Sequence, residues 1–380
     1  MNKSLFSLRL KAVESFLGCA GKLAKYGKGA SDALILVCQE GFGWEDIYYL
    51  TNFIGSSSVL VVTPGEATLF VDPRYQSQAK EDCVCTVVSC TEVKRSSPLN
   101  AAANHILARG LGRIAFSYKS MPFQAFRIIE HTLGESAQFT DITYLISNLR
   151  RRKGSMEVAC IKEAIRIASH AFKSVISETS AGISEREFAG KLEYQLKASG
   201  GGFWNPIPVM VSSGRRTSLP HSIPTDREFA EGDIVMVDFG ARAAGYVCDL
   251  TRMISIGEPT EDIRSFYSVI QWAQAEAAAL ISPGAATSDI DAAARTILVS
   301  AGLGAAFVHG IGHGIGLSIH EVPSLGETSS SVLAEGDIIT LEPAFYKDGW
   351  GGMRLEDDYL VTGMGSECLS GSFSGELYIV

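Results

Sequence analysis

Histidine is scarce in this 380-residue chain, seven in all, and nowhere does an apolar run reach the roughly 18 residues that a membrane-spanning helix requires. Basic residues are also short: 33 Lys and Arg against 42 Asp and Glu leave a formal charge of -9. That balance lacks the electrostatic footprint of a nucleic-acid or anionic-membrane partner. The basic run Arg150-Arg151-Arg152-Lys153 reads as a solvated hinge. The eight cysteines lack the paired spacing of a zinc knuckle, since only Cys83, Cys85 and Cys90 lie close together, and they read as reduced thiols. Near the N-terminus, Arg9, Lys11 and Glu14 interrupt any apolar secretory core, and Phe16-Leu17-Gly18-Cys19 makes a poor lipoprotein site. The expectation is a soluble, cytoplasmic protein.

What is present suggests two domains. Between about residues 30 and 145, strand-like runs (ALILVC, SVLVVT, ATLFVD, VCTVVS, RIAFS) alternate with helical patterns such as NAAANHILARG and PFQAFRIIEHTLG. This predicts a smaller α/β domain over residues 1–150, with no visible chemistry. Ser155 then opens a long amphipathic helix with Val158, Ile161, Ile165, Ala168, Phe172 and Val175 along one face, beginning a second domain over 151–380. That domain reads as duplicated. Glu231-Gly232-Asp233-Ile234 recurs as Glu335-Gly336-Asp337-Ile338, and the same offset of 104 places Asp238 on Glu342 and Ser184 on Ser288, each serine opening a helix. Two related α/β halves facing each other across a cleft are expected, with Asp233 and Asp337 capping turns.

Four carboxylates and one histidine in this domain sit in apolar or glycine-rich sequence: Asp238 in VMVDFG, Asp249 in GYVCDLTRM, His313 in GIGHGIG, Glu342 in IITLEPAF and Glu356 in GGMRLEDDYLV. Burying such charges is costly unless something neutralises them, and four carboxylates with one imidazole cannot neutralise one another. A pair of divalent cations supplies the missing charge most simply. Asp238 and Asp249 lie symmetrically about Ala243-Ala244, and Glu342 and Glu356 symmetrically about Gly349, so two hairpins would each set two carboxylates opposite one another. Cross-strand Cβ atoms are about 4.5–5.5 Å apart and paired metals about 3.5–4 Å, so the two spacings are compatible. Oxygen-rich donors with one imidazole favour Mn²⁺, with Co²⁺, Fe²⁺ or Zn²⁺ as alternatives, over a thiolate-type structural zinc. Taken singly, each acid could instead be an exposed strand end or an ion-pair partner of Arg252 or Arg354. Asp357 and Asp358 read as solvated or as supports behind the ligands.

Three histidines fall within His309-Gly-Ile-Gly-His313-Gly-Ile-Gly-Leu-Ser-Ile-His320. A helical zinc-protease motif is excluded by Gly310, Gly312, Gly314 and Gly316 and by the lack of glutamate at 310. A phosphate loop is excluded because no Lys-Ser/Thr pair follows. The glycines instead permit close backbone approach while imidazoles project into a pocket.

The strings SSGRRTSLPHSIPTDREFAEGDIVMVDFGARAAGYVCDLTR, HGIGHGIGLSIHEVP, and TLEPAFY followed by GGMRLEDDYLVT resemble pita-bread metallopeptidases of family M24, and within them Xaa-Pro aminopeptidases. YYLTNFIGSSSVLVVT and LFVDPRYQSQA resemble the creatinase-type accessory domain of the same enzymes, so the resemblance spans nearly the whole chain. It implies an α/β pita-bread domain after a smaller α/β domain, and a homodimer acting on proline-containing peptides. By motif, Asp238 would bind one metal and His313 with Glu342 the other, with Asp249 and Glu356 bridging. A hydroxide between the metals would attack the bond before proline. His320 would stabilise the intermediate, Glu342 would shuttle the proton, and His221, His309 and Arg354 would contact substrate. One departure is Ala344, where relatives usually carry glycine; its methyl group is expected to shift Glu342 or narrow the pocket. Rival readings are a prolidase acting on dipeptides, a methionine aminopeptidase, a creatinase-type hydrolase and a non-enzymatic peptide-binding module.

Overall fold

A computed structural model describes residues 3–17, 31–90, 96–202 and 208–380, and the chain divides into two units, Met1–Leu149 and Arg150–Val380. Gly18 and Cys19, weighed above as part of a lipoprotein site, lie outside the described residues. The segment before them is a helix, α1 (Lys3–Leu17), because Phe6, Leu10, Val13 and Leu17 recur on one face and are all buried. Arg9 is buried with them; its guanidinium donates to Tyr49 O (3.0 Å) and stacks on the Tyr49 ring.

The first unit is built on a six-stranded mixed sheet of order β4-β3-β2-β1-β5-β6. Its strands are β1 (Ala33–Gln39), β2 (Ser57–Thr63), β3 (Glu66–Val71), β4 (Thr86–Ser89), β5 (Arg113–Phe116) and β6 (Gln138–Asp141). The five runs read as strands in the sequence are β1 to β5. The sixth, Gln-Phe-Thr-Asp, gives no strand signal in the sequence because it carries one large apolar residue and no alternation. Helices α2 (Trp44–Thr51), α3 (Gln76–Asp82), α4 (Pro98–Ala108), α5 (Phe123–Leu133) and α6 (Thr143–Arg151) complete the α/β unit. The inner residues of β1 and β5 pack on Ala102, Ile106, Ala125 and Ile129 of α4 and α5.

The second unit repeats one theme. In the first half, α7 (Ser155–Ile176) and α8 (Glu185–Ala198) precede β7 (Met210–Ser213), β8 (Ile234–Phe239), the short pair β9 (Arg242–Ala243) and β10 (Tyr246–Val247), and β11 (Leu250–Ser255). In the second half, α9 (Glu261–Ala279) and α10 (Thr287–Ser300) precede β12 (Gly312–Gly314), β13 (Glu321–Leu325), β14 (Ile338–Leu341), the pair β15 (Ala344–Lys347) and β16 (Gly351–Arg354), β17 (Asp357–Thr362) and β18 (Gly365–Cys368). A last strand, β19 (Tyr378–Ile379), joins the first sheet beside β11. The repeat is carried into detail. Asp233 accepts from Ala230 N and Asp337 from Ala334 N, both at 2.8 Å, so each caps the turn entering its strand.

The offset of 104 holds for β8 and β14, Ile234 against Ile338, but not for the strands that follow them, Leu250 against Asp357, nor for the helices. Ser184 caps α8, whereas α10 begins at Thr287 with Ala286 as its cap, two residues before the expected Ser288. Thr287 is drawn in because its hydroxyl bonds Ser329 Oγ (2.8 Å) and Ser331 O (3.1 Å). Packing follows the apolar periodicity. Ile263, Tyr267, Ile270, Ala273 and Ala277 of α9 bury against the second sheet, and Phe172 of α7 stacks on Phe239 of β8 with ring centroids 5.3 Å apart. Val158, expected on the buried face of α7, is only half-buried. Glu157 is buried instead, receiving the Tyr246 hydroxyl and Gly154 N (2.8 Å).

The basic run is not a solvated hinge. Lys153 is buried and reaches Glu321 Oε2 (3.1 Å), Arg150 pairs with the same carboxylate, and Arg151 pairs with buried Asp337 (2.5 Å). Burial alone would raise the Glu321 pKa, but Arg150 and Lys153 outweigh it and hold it at about 2, against 4.5 for an ordinary glutamate. Because the folded value is depressed, this pairing contributes about 3 kcal/mol above pH 4.5 and loses it as pH falls toward 2. Glu321→Gln is expected to lower stability at pH 7 by about 3–5 kcal/mol, leaving two cations without their partner. Denaturant titrations from pH 2 to 7 should show the difference between wild type and variant shrinking below pH 4.5.

Candidate metal centre

The first hairpin delivers Asp238 from the end of β8 and Asp249 from the residue before β11. Its register differs from the expected one. Ala243 pairs with Tyr246 and Asp238 with Thr251, so the turn is Ala244-Gly245, one step beyond the predicted centre. Both turn residues take positive φ (46° and 87°), as the tight turn suited to twisted hairpins demands, and Gly245 was the overlooked signal. Asp249 is therefore two residues from the partner of Asp238. Side chains on a strand alternate, so the displacement leaves both carboxylates on one face. The second hairpin keeps the expected register. Ala344 pairs with Arg354 and Lys347 with Gly351 about Gly349, and β14 pairs with β17 in the same frame, Leu341 with Asp357. Glu342 and Glu356 are thus carried to facing positions.

His313 comes from β12, where the glycines permit close packing as expected. A Cβ on Gly312 would stand 2.0 Å from Thr340 O, and one on Gly314 would stand 2.4 Å from Val322 O. The His313 backbone N–H donates to Thr340 Oγ1 (3.1 Å) and its Nδ1 lies 3.1 Å from Gly314 O. With Nδ1–H donating to that carbonyl, Nε2 keeps a free lone pair. That atom is 3.8 Å from Asp249 Oδ2 and 3.6 Å from Glu342 Oε1. Asp249, His313 and Glu356 each offer a donor atom within 4.8 Å of the others, a spacing suited to a shared metal ion.

The electrostatics fit cations at this place. Burial raises the pKa of Asp249 and Glu356 well above the carboxylate range, and neighbouring carboxylates raise them further. Burial also lifts Glu342 to about 7 against the pull of Arg354, and it lowers His313 to about 4, keeping the imidazole neutral as a metal ligand must be. Asp238 Oδ1 is buried with no hydrogen-bond partner, while its Oδ2 accepts from Arg354 Nη2 at 2.5 Å. Asp238 is therefore split between an ion pair and an open oxygen. These residues fit divalent ions: three clustered donors, a further acid, Glu342, within reach of His313, and the orphaned carboxylate oxygen of Asp238.

The site is supported from behind by Thr251, which no motif marks, and by Asp357 and Asp358. Thr251 Oγ1 donates to Glu356 Oε2 (2.8 Å), and Glu356 N to Thr251 O (3.3 Å), tying the ligand strands of the two halves together. Asp357 and Asp358 are buried, which excludes the solvated reading and leaves the other, supports behind the ligands. Asp357 pairs with Arg252 Nη2 (2.6 Å), and Asp358 accepts from Asp249 N (3.3 Å). No periodicity marks these roles, because they depend on contacts between distant segments. Arg354, expected to contact substrate, borders the pocket but is committed elsewhere, donating to Thr251 Oγ1 (2.8 Å), Tyr346 OH (2.8 Å) and Pro220 O (3.3 Å) besides Asp238. Ala344 is buried in the apolar core behind β15, so its methyl group does not narrow the pocket.

These acids open on a cavity of about 1110 Å³ within the second unit, also bordered by His221, His309 and His320. The His313 and His320 rings lie 4.3 Å apart at 67°. His309 Nε2 is 3.1 Å from Tyr346 OH, and burial lowers its pKa to about 4.

Buried acids and a neutral imidazole converging between two repeated halves define a divalent-metal centre. Residues 159–363 match the metallopeptidase family M24 and residues 21–152 the Creatinase/Prolidase N-terminal domain, so the chain belongs to metallopeptidase family M24. Its fold is the pita-bread catalytic domain preceded by the creatinase-type domain, and the family implies divalent metal cofactors. The chain is 33% identical over 333 residues to an Xaa-Pro dipeptidase of Pyrococcus furiosus, covering 86% of this chain and 90% of the relative. Among solved structures, an X-Pro aminopeptidase of Thermotoga maritima superposes with a TM-score of 0.85 at 30% identity, covering 92% and 98% of the two chains. An Xaa-Pro dipeptidase of Bacillus anthracis gives 0.87 at 30% identity over the full length of both. Among the described residues, no helix is long and apolar enough to cross a membrane.

Binding at this centre should be measurable as stability. Mn²⁺ at 100 times its dissociation constant is expected to add about 2.7 kcal/mol, read as a rise in melting temperature that chelation reverses. Gly312→Ala, which forces Cβ into Thr340 O and displaces His313, is expected to abolish that rise.

Proposed function

We propose that the protein is an Xaa-Pro aminopeptidase that releases the N-terminal residue before proline with two divalent ions. The convergence of Asp249, His313 and Glu356 within 4.8 Å, beside the orphaned oxygen of Asp238, carries this reading. Asp238 would hold one ion, His313 and Glu342 the other, with Asp249 and Glu356 between them. Ions bound there supply Lewis acidity and an acidified water at neutral pH.

The remaining work falls to side chains. Glu342, which borders the cavity beside His313, is the candidate to accept a proton and return it to the departing proline nitrogen. His320, beside His313 on the cavity wall, is the candidate to donate to the carbonyl oxygen as negative charge builds. His221 and His309 border the same space and are candidates to contact proline, whose nitrogen offers no donor and whose ring fixes φ. Manganese as the ion, a homodimer and a cytoplasmic setting accompany the proposal.

Incubating the Mn²⁺-loaded protein with an Xaa-Pro-Xaa tripeptide should yield the free N-terminal amino acid and a proline-headed dipeptide. His320→Ala is expected to lower kcat about 10²–10³-fold with metal content unchanged. Asp249→Asn should release the metals; a variant that still holds two equivalents by elemental analysis would remove Asp249 from the bridging position.

A further inference from the structure

His320 is exposed on the wall of the cavity, so the backbone beneath it largely sets where its ring lies. It ends a loop, Ile315–His320, that the pairing of Gly314 in β12 with Glu321 in β13 draws closed. Glu321 follows His320 directly, and neighbouring side chains of an extended chain face opposite ways. The imidazole therefore turns to the cavity as the carboxylate turns into the loop. The Glu321 side chain is 5% exposed and does not border the cavity that the four acids share.

That carboxylate organises the loop from within. Its Oε1 accepts the backbone N–H of Leu317 (3.0 Å) and of Ser318 (3.2 Å). A Cβ on Gly316 would stand 2.6 Å from Oε2, so glycine is what lets the chain close over it. From outside the loop, Lys153 Nζ donates to Oε2 (3.1 Å), and Arg150 Nη2 donates both to Oε1 and to Ser318 Oγ, the latter at 2.9 Å. The far side is anchored as well, by Val247 N on Gly316 O (2.8 Å) and Arg242 Nη1 on Leu317 O (3.1 Å). Two backbone N–H groups and two cations take up roughly the four lone-pair sites that one carboxylate offers. A glutamine there keeps one acceptor oxygen and turns an NH₂ group toward the remaining donors.

We infer, on the role proposed above for His320, that Glu321 is a positioning residue: gripped by Lys153 and Arg150, its carboxylate sets the loop Ile315–His320 and so holds the His320 imidazole where the substrate carbonyl arrives. The basic run that opens the second unit is thereby tied to the reaction, although Arg150, Lys153 and Glu321 all lie outside the cavity lining. A ring displaced by about 1 Å loses up to about 10²-fold in rate. The metal ions, held by other side chains, stay bound.

Glu321→Gln is assayed with Mn²⁺ on the tripeptide Ala-Pro-Ala, at a temperature where circular dichroism shows it folded. Beside it is assayed Lys153→Met with Glu321→Gln, which removes one charge of each sign and so recovers part of the lost stability. In both, kcat is expected to fall about 10–10²-fold, with KM within about twofold of wild type and bound metal, by elemental analysis, unchanged. Introduced into His320→Ala, Glu321→Gln is expected to cost less than about twofold, because the ring it holds is gone. A folded variant with unchanged kcat, a loss of metal, or an equal fold-loss with and without His320 would each overturn the positioning role. An undiminished kcat in His320→Ala alone would instead overturn the reading of His320 on which that role stands.

Discussion

Three buried carboxylates and a half-buried fourth, Glu342, facing one buried arginine form the constraint on which the second unit depends. At 4 Å and an effective dielectric constant of 20, a pair of like charges repels by about 4 kcal/mol, and Arg354 is spent mainly on Asp238. The rest of the cluster is held together by neutral groups: Thr251 Oγ1 donates to Glu356, the backbone N–H of Asp249 donates to Asp358, and that of His313 donates to Thr340 Oγ1. Such an arrangement is an unfavourable protein core and a favourable cradle for divalent cations, which turns its electrostatic strain into affinity.

Duplication makes the cradle possible without a long search in sequence. Each half supplies a hairpin whose two ends carry acids, and each half enters its strand through the same aspartate-capped turn at Asp233 or Asp337. The helices have drifted by two residues between halves while the strands that carry or precede Asp238 and Glu342, β8 and β14, have not. Strand position sets ligand position, whereas a helix can begin a little earlier and still present its apolar face.

Most of this was legible from the residues alone where one local rule governed the outcome. Gly349 centres a hairpin whose register follows from counting, and the glycines around His313 signal close backbone approach. Counting failed at Ala243-Ala244 because an alanine in the left-handed region was not anticipated, although Gly245 beside it marks the turn. The supports of the site were legible only as one of two alternatives. Asp357 and Asp358 are indistinguishable in sequence from surface acids, and Arg150 and Lys153 from a solvated linker, until Arg252 and Glu321 are brought to them from roughly a hundred and 170 residues away. Arg354 borders the pocket as its motif position suggests, and only the fold shows that its guanidinium also bonds Asp238, Thr251, Tyr346 and Pro220.

The rung between Thr251 and Glu356 joins the ligand-bearing strands of both halves by main-chain and side-chain bonds together. A centre fastened in this way cannot easily open or close its bite to suit ions of different radius. Discrimination among metals of similar hardness would then come from the spacing of the scaffold, and swapping donor atoms would matter less than loosening that single stitch.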